Sequence, residues 1–277
     1  MKTILMVLLL GINLLMSNLL VSTVSANELD EILTSPHRSD ENKSRDEARH
    51  PKETIEFFGT KPTDHVLEMW PGDGWYSEIL APYVKDKGHF SAVTFSTGNL
   101  NSSNKRDVSW SRNALSYKEK MSDVALYGKV DFFEFEPPKS FDLKDIKPVD
   151  VVYVIRNLHV WDEYGALNHA IQAIYTVLKP NGILAVVQHR GDAVSKNASS
   201  AAEGYLDERY VIEAIEKNGF ELVSSSEINL NLNDTKDYPK GVYALPPVLA
   251  MGGTERDKYI GIGESDRMTL KFIKTVD

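Results

Sequence analysis

Two short apolar runs, Asp150–Ile155 (DVVYVI) and Ile183–Gln188 (ILAVVQ), limit this chain more than any other feature. A strand that is apolar at consecutive positions, not at every second one, is buried on both faces. Between the two runs, Tyr164–Leu178 repeats its apolar residues with the period of a helix, and Lys179-Pro180-Asn181-Gly182 reads as the turn that closes it. Strand, amphipathic helix, strand is a crossover unit, which calls for an α/β fold with a parallel sheet covered by helices on both faces. Val66–Trp70, Phe90–Phe95, Val130–Phe135, Phe220–Ser224 and Arg267–Ile273 read as further strands. Helices are expected at Glu28–Leu33, Pro51–Phe58, Tyr76–Val84, Ala114–Met121 and Glu208–Asn218, while Asn99–Arg112 reads as a polar loop. Right-handed crossovers gather the strand-to-helix turns on one edge of such a sheet, where a ligand sits.

The chain has 277 residues, 42% hydrophobic and 26% charged, which suits one packed domain. Its net charge of −9 offers no broad basic face, so nucleic acid is not an expected partner. It has no cysteine, which excludes disulfides and thiolate nucleophiles. Its seven histidines are scattered without an H-E-x-x-H pattern, and no metal site is expected. A serine hydrolase is excluded by the lack of G-x-S-x-G. Residues 1–26 have another character. Lys2 precedes an apolar run from Ile4 to Val24, and Val24-Ser25-Ala26 supplies small residues for a cleavage site before Asn27. This is the order of a signal peptide. The protein is accordingly expected outside the cytoplasm, periplasmic or extracellular, meeting a membrane only through this segment if it is uncleaved. Residues 27–50 form a polar segment, and 51–277 the main domain.

The stretch Val66–Tyr76 (VLEMWPGDGWY) runs from a strand into a turn with two glycines. Glycine lets a ligand approach the backbone, and amides at a helix start favour an anionic group. The third glycine of G-x-G-x-x-G is missing and no G-K-[ST] follows, so pyrophosphate and P-loop binding are disfavoured. The stretch instead resembles the first motif of the class I S-adenosylmethionine-dependent methyltransferases, E-x-G-x-G-x-G. Glu68, Gly72 and Gly74 match it, and Trp70 stands at the first glycine position. The order DVVYVIRNLHVWDE, helix, VLKPNGILAVVQH is similar to the fourth and fifth strands of that superfamily, and NLHVWDE is similar to a segment of small-molecule O-methyltransferases. The resemblance runs from Asp46 to Phe272. RHP, PGDGWYSEILAP and SDRMTLKF are most similar to a group of exported bacterial proteins identified from sequence as methyltransferases.

The resemblance implies a Rossmann-like class I methyltransferase fold with a mostly parallel seven-stranded sheet, S-adenosyl-L-methionine as cofactor and a small-molecule substrate. It puts Glu68 near the cofactor's amino group, and Trp70, Pro71, Gly72 and Gly74 around its methionine part and ribose. Glu134, or Glu136, would meet the adenine amino group. Thr94 stands where the superfamily has an acidic residue for the ribose hydroxyls; one hydroxyl in place of a charged acceptor costs about 1.5–3 kcal/mol. His159 matches the base of the O-methyltransferases, with an ordinary pKa of about 6.5. Arg156 and Asn157 bind a substrate carboxylate or shape the turn, and Asn157 is also counted with the cofactor-binding positions. His189 and Arg190 face the same edge. Asp162 and Glu163 are expected to open the following helix, where carboxylates suit the dipole. Trp75, Tyr76 and Trp161 either close the pocket or belong to the core. Residues 229–264 read as an insertion that lids the cleft. Two functions remain open: methyl transfer to a small molecule, or a catalytically inactive module that binds an adenosyl or other small ligand.

Overall fold

The computed structural model describes residues 28–137, 139, 143–192 and 199–275; the proposed signal peptide lies outside them. Among the described residues no helix is long and apolar enough to cross a membrane. The strands are β1 (His65–Met69), β2 (His89–Thr94), β3 (Val130–Glu134), β4 (Val149–Ile155), β5 (Leu178–His189), β6 (Phe220–Ser226) and β7 (Arg267–Lys274). They form one sheet in the order β3-β2-β1-β4-β5-β7-β6. The pairs from β3 to β5 are parallel, and β7 runs antiparallel between β5 and β6. This is the mostly parallel seven-stranded sheet expected, with strand order reversing between β1 and β4.

Helices cover both faces. On one, α1 (residues 28–34), α4 (Pro51–Phe58) and α5 (Ser77–Val84) pack Leu29, Ile55, Phe58, Ile79 and Leu80 on Val66, Val151, Tyr153 and Ala185. The short α2 (Asp40–Lys43) and α3 (Asp46–Arg49) lie in the polar segment 27–50. On this face, too, lie α6 (Lys105–Lys120) and α7 (Val124–Tyr127), which add Tyr117 and Tyr127. On the other face, α8 (Leu158–Glu163), α9 (Leu167–Val177) and α11 (Glu208–Glu216) bury Trp161, Ile171, Ile174 and Ile215 against Leu67, Val152, Val186 and Leu270. The short α10 (Ser199–Ala202) precedes α11, and α12 (Arg256–Ile262) precedes β7.

Three expectations are corrected. Most of the supposed loop at Asn99–Arg112 is the first half of α6, whose start is capped by the Asn104 side chain accepting from the Arg106 amide at 3.0 Å. The helix after β4 is two helices, parted at Gly165 with φ +64°. Asp162 and Glu163 therefore end α8 instead of opening the next helix. Third, Lys179–Gly182 belongs to β5, where Lys179 pairs with Asp150 at 2.8 Å.

Candidate ligand cleft

At the carboxyl edge of β1, β4 and β5 lies a chamber of about 420 Å³, bounded by the β1 turn, the Arg156–Val160 segment, His189 and residues 242–248. A smaller chamber of about 150 Å³ adjoins it, lined by Thr94, Phe95, Asn113 and Tyr117. Trp70, Pro71, Gly72, Trp110, Asn157 and Val160 form walls of both.

The turn is built for approach. Gly72 has φ +59°, and a Cβ there would meet nothing within 4 Å. Gly74 has φ +80°, and its Cβ would stand 2.8 Å from a Tyr117 ring carbon. One glycine keeps the cleft open and the other admits α6. That helix clamps the turn: Lys120 Nζ donates to the Asp73 carbonyl at 2.9 Å, and Asn113 donates to the Asp73 side chain. Asn157 ties the end of β4 to the same turn, donating to the Met69 carbonyl at 2.6 Å.

Glu68, next to the last residue of β1, is 2% exposed and accepts from Ser77 Oγ at 2.5 Å; Ser77 in turn meets the Tyr117 hydroxyl at 2.9 Å. Burial pushes its carboxyl up to about 7, against the opposing pull of Ser77, Lys120 and Arg156. Trp70 takes φ +45°, and its indole donates to the Phe135 carbonyl at 2.9 Å while packing among Phe95, Trp110, Phe135 and Trp161. An aromatic wall thus fills the space between the ends of β1, β2 and β3. Thr94 is buried and, among the described residues, its hydroxyl reaches only the Phe133 carbonyl, at 3.4 Å, so its lone pairs stay available to the small chamber. Glu134 is not brought to either chamber. Its carboxylate is held by Lys118 at 2.9 Å and Thr97 at 2.7 Å, which outweigh partial burial and keep it below the usual range. Glu136 pairs with Lys139. Trp161 is core, fully buried, whereas Trp75 and Tyr76 floor the large chamber.

His159 does face the large chamber. The Gln188 amide lies 3.2–3.4 Å from its Nδ1, and the Tyr243 hydroxyl lies 3.3 Å from its Nε2. Burial lowers its pKa to about 4 despite the Gln188 hydrogen bond, and the charge of Arg156 adds to the effect. His189, 5.5 Å away ring to ring, bonds Ser265 at 2.5 Å and is also held well below the ordinary value by burial. Both rings are therefore neutral at physiological pH. Arg190 turns outward to Glu208 and Glu227. Among the described residues no three His, Asp or Glu side chains gather to hold a metal ion.

Sequence reasoning missed Arg49 and Tyr243. Arg49 sits in α3 with 1% exposure, its guanidinium 4.6 Å over the Trp75 ring and its Nε 2.8 Å from Glu264. The RHP stretch was visible in the sequence, but nothing there tied it to the cleft. Tyr243 comes from the segment between β6 and β7, whose residues 242–248 form one wall.

No protein-family model matches the sequence, and no curated protein is significantly similar to it. Solved structures share the fold. A SAM-dependent methyltransferase from Aquifex aeolicus matches with a TM-score of 0.52 and 17% identity, over 90% of this chain and 98% of that one. The [4+2]-cyclase SpnF matches at 0.51 and 17%, over 83% and 81%. The pyocyanin biosynthetic protein PhzM matches at 0.51 and 10%, over 84% of this chain and 56% of its own. The fold is that of the class I methyltransferases.

Proposed function

We propose that this protein transfers the methyl group of S-adenosylmethionine to a small molecule, and that residues 1–26 direct it out of the cytoplasm. The open Gly72 turn, facing a double chamber at the strand-order reversal of a class I methyltransferase fold, is the observation that carries the reading. The residues fit the cofactor at its methionine end. Pro71 and Gly72 line both chambers, Gly72 leaves the backbone accessible, and Glu68, half ionised near neutral pH, can accept from an ammonium group. At the ribose, Thr94 offers a hydroxyl where a carboxylate would be stronger. The cofactor supplies an electrophilic methyl on a good leaving group. The chain's own contribution is then to orient the acceptor, exclude water and take a proton if the nucleophile carries one. His159, neutral and with Nε2 turned to the Tyr243 hydroxyl, is the group for that proton.

One observation favours a second reading, a fold that binds a ligand without methyl transfer. The Trp70 indole and its bond to the Phe135 carbonyl fill space at the β2 and β3 ends, where the resemblance puts the adenosine. The fold does not fix the chemistry, since one similar structure is that of a cyclase. Calorimetry with S-adenosylmethionine and S-adenosylhomocysteine separates the readings. Micromolar binding that Gly72→Arg weakens at least about tenfold, together with methyl transfer lost in His159→Ala, supports the enzyme. An absence of binding at millimolar ligand rejects it.

A further inference from the structure

The large chamber holds a cation that, among the described residues, has no ion pair of its own. Arg156 follows β4 at φ +61°, a left-handed conformation that asparagine or glycine would adopt more easily. Its amide is fixed by the Val187 carbonyl at 2.7 Å. Its guanidinium lines the chamber, and among the described residues no ion pair or side-chain hydrogen bond engages it. The carboxylate that most counters it belongs to Glu264, which is already shared among Arg45 at 2.8 Å, Arg49 at 2.8 Å and Arg267 at 3.0 Å. Arg49 lines the same chamber and leaves its Nη2 buried without a partner. Glu68, a carboxyl that does line the chamber, is about half neutralised near pH 7 by its burial. The two histidines add no compensating negative charge and, being neutral, no further positive charge. A protein of net charge −9 therefore encloses a cationic pocket. Desolvation of Arg156 by the chamber walls lowers its pKa to about 10, with Arg267 and Arg45 adding to the effect and Glu264 opposing it. A partly buried charge without an ion pair of its own is costly, and strain kept at a strand end points to use.

We propose that Arg156 is the anchor for a carboxylate on the small molecule that the cleft takes, so that the ligand is an organic acid lying with its apolar body against Val242, Pro246 and Tyr243. The planar fork of a guanidinium suits a carboxylate, and the walls on the side of residues 242–248 are apolar or aromatic. That this acid is the methyl acceptor rests on the function proposed above; the anchor itself does not. With the carboxylate on Arg156, the rest of the molecule lies beside His159.

Binding of benzoate, phenylacetate and octanoate, with benzamide as the neutral control, tests the proposal on the purified protein with and without S-adenosylhomocysteine. At least one acid binds and benzamide does not, and Arg156→Asn weakens the acid about ten- to hundredfold. Asparagine tolerates the left-handed backbone, so an unchanged melting temperature is expected, and Arg156→Lys restores part of the affinity. The comparison of acid with amide needs no variant and stands even if one misfolds. Equal binding of acids and amide, no binding of either at millimolar concentration, or acid binding unmoved by Arg156→Asn overturns the anchor. A different result assigns Arg156 to the cofactor. If Arg156→Asn weakens S-adenosylhomocysteine but not 5′-methylthioadenosine, which lacks the carboxylate, the organic-acid proposal is overturned. A protein that binds benzoate through Arg156 but binds neither adenosyl compound keeps the anchor and loses the methyl-transfer reading.

Discussion

Glu68 and His159 are opposed in their response to pH. The Glu68 carboxyl rises from 4.5 to about 7 in the folded protein, so between these values the unfolded chain ionises while the native one resists. Its contribution to stability is complete below about pH 4.5 and is lost as pH rises to 7, a change on the order of 3 kcal/mol. His159 falls from 6.5 to about 4, so its contribution is present above 6.5 and is lost as pH falls toward 4. Glu68→Gln removes the first effect alone. Urea unfolding at pH 5 and pH 8 then shows the variant gaining stability over the native protein by roughly 2–3 kcal/mol at the higher pH relative to the lower; an unchanged difference rejects the assignment. For His159, the ring resonance followed by NMR stays that of a neutral imidazole down to about pH 5. At this scale the site was partly legible. Glu68, Gly72 and His159 carried motif signals and line the large chamber, whereas Gly74, also in the motif, packs against Tyr117 instead. Glu134 was misjudged, because its position in the chain could not show that Lys118, a full helix away in sequence, would claim it. Arg156 was singled out, but only the structure shows that, among the described residues, no ion pair engages its guanidinium.

The turn after β1 depends on α6, the element least visible in the sequence. Its first half reads KRDVSWSR, with too few apolar residues to reveal a period; the capping residue Asn104 and Asp107 at the third helical position were the signals available. The helix buries only Ser111, Ala114 and Tyr117, a narrow stripe. Its contact with Gly74 gives a contrast that denaturation can check. Gly74→Ala puts a Cβ against Tyr117 at positive φ and costs about 2–4 kcal/mol, whereas Gly72→Ala, with open space, costs about 1 kcal/mol of backbone strain. Equal costs reject this account of the turn. A second element contact joins α3 to the loop before β7 through Glu264 and its three arginines. Breaking a buried ion pair leaves uncompensated charge, so Glu264→Gln costs about 3–5 kcal/mol. Faster hydrogen exchange in α2 and α3 than elsewhere marks where the contact was lost; uniform exchange does not fit. The strands, by contrast, were legible within a residue or two except at the start of β5, since runs such as DVVYVI admit few alternatives.

Over the whole molecule, the sequence allowed the alternation of strands and helices to be read, but not which loops meet above the sheet. Residues 49, 156 and 243 are far apart in the chain and converge only through topology. The late strand has a consequence for how the chain is made. β7 pairs with both β5 and β6, yet it is synthesised after them. Until residue 267 and those beyond it have left the ribosome, β5 lacks its outer neighbour and β6 has no place in the sheet at all. A chain ending before Arg267 is therefore expected to show no cooperative unfolding transition by circular dichroism, and a sharp transition would refute this. A nascent protein so arranged remains threadable almost to the end of its translation, which is what the export proposed above would require of it.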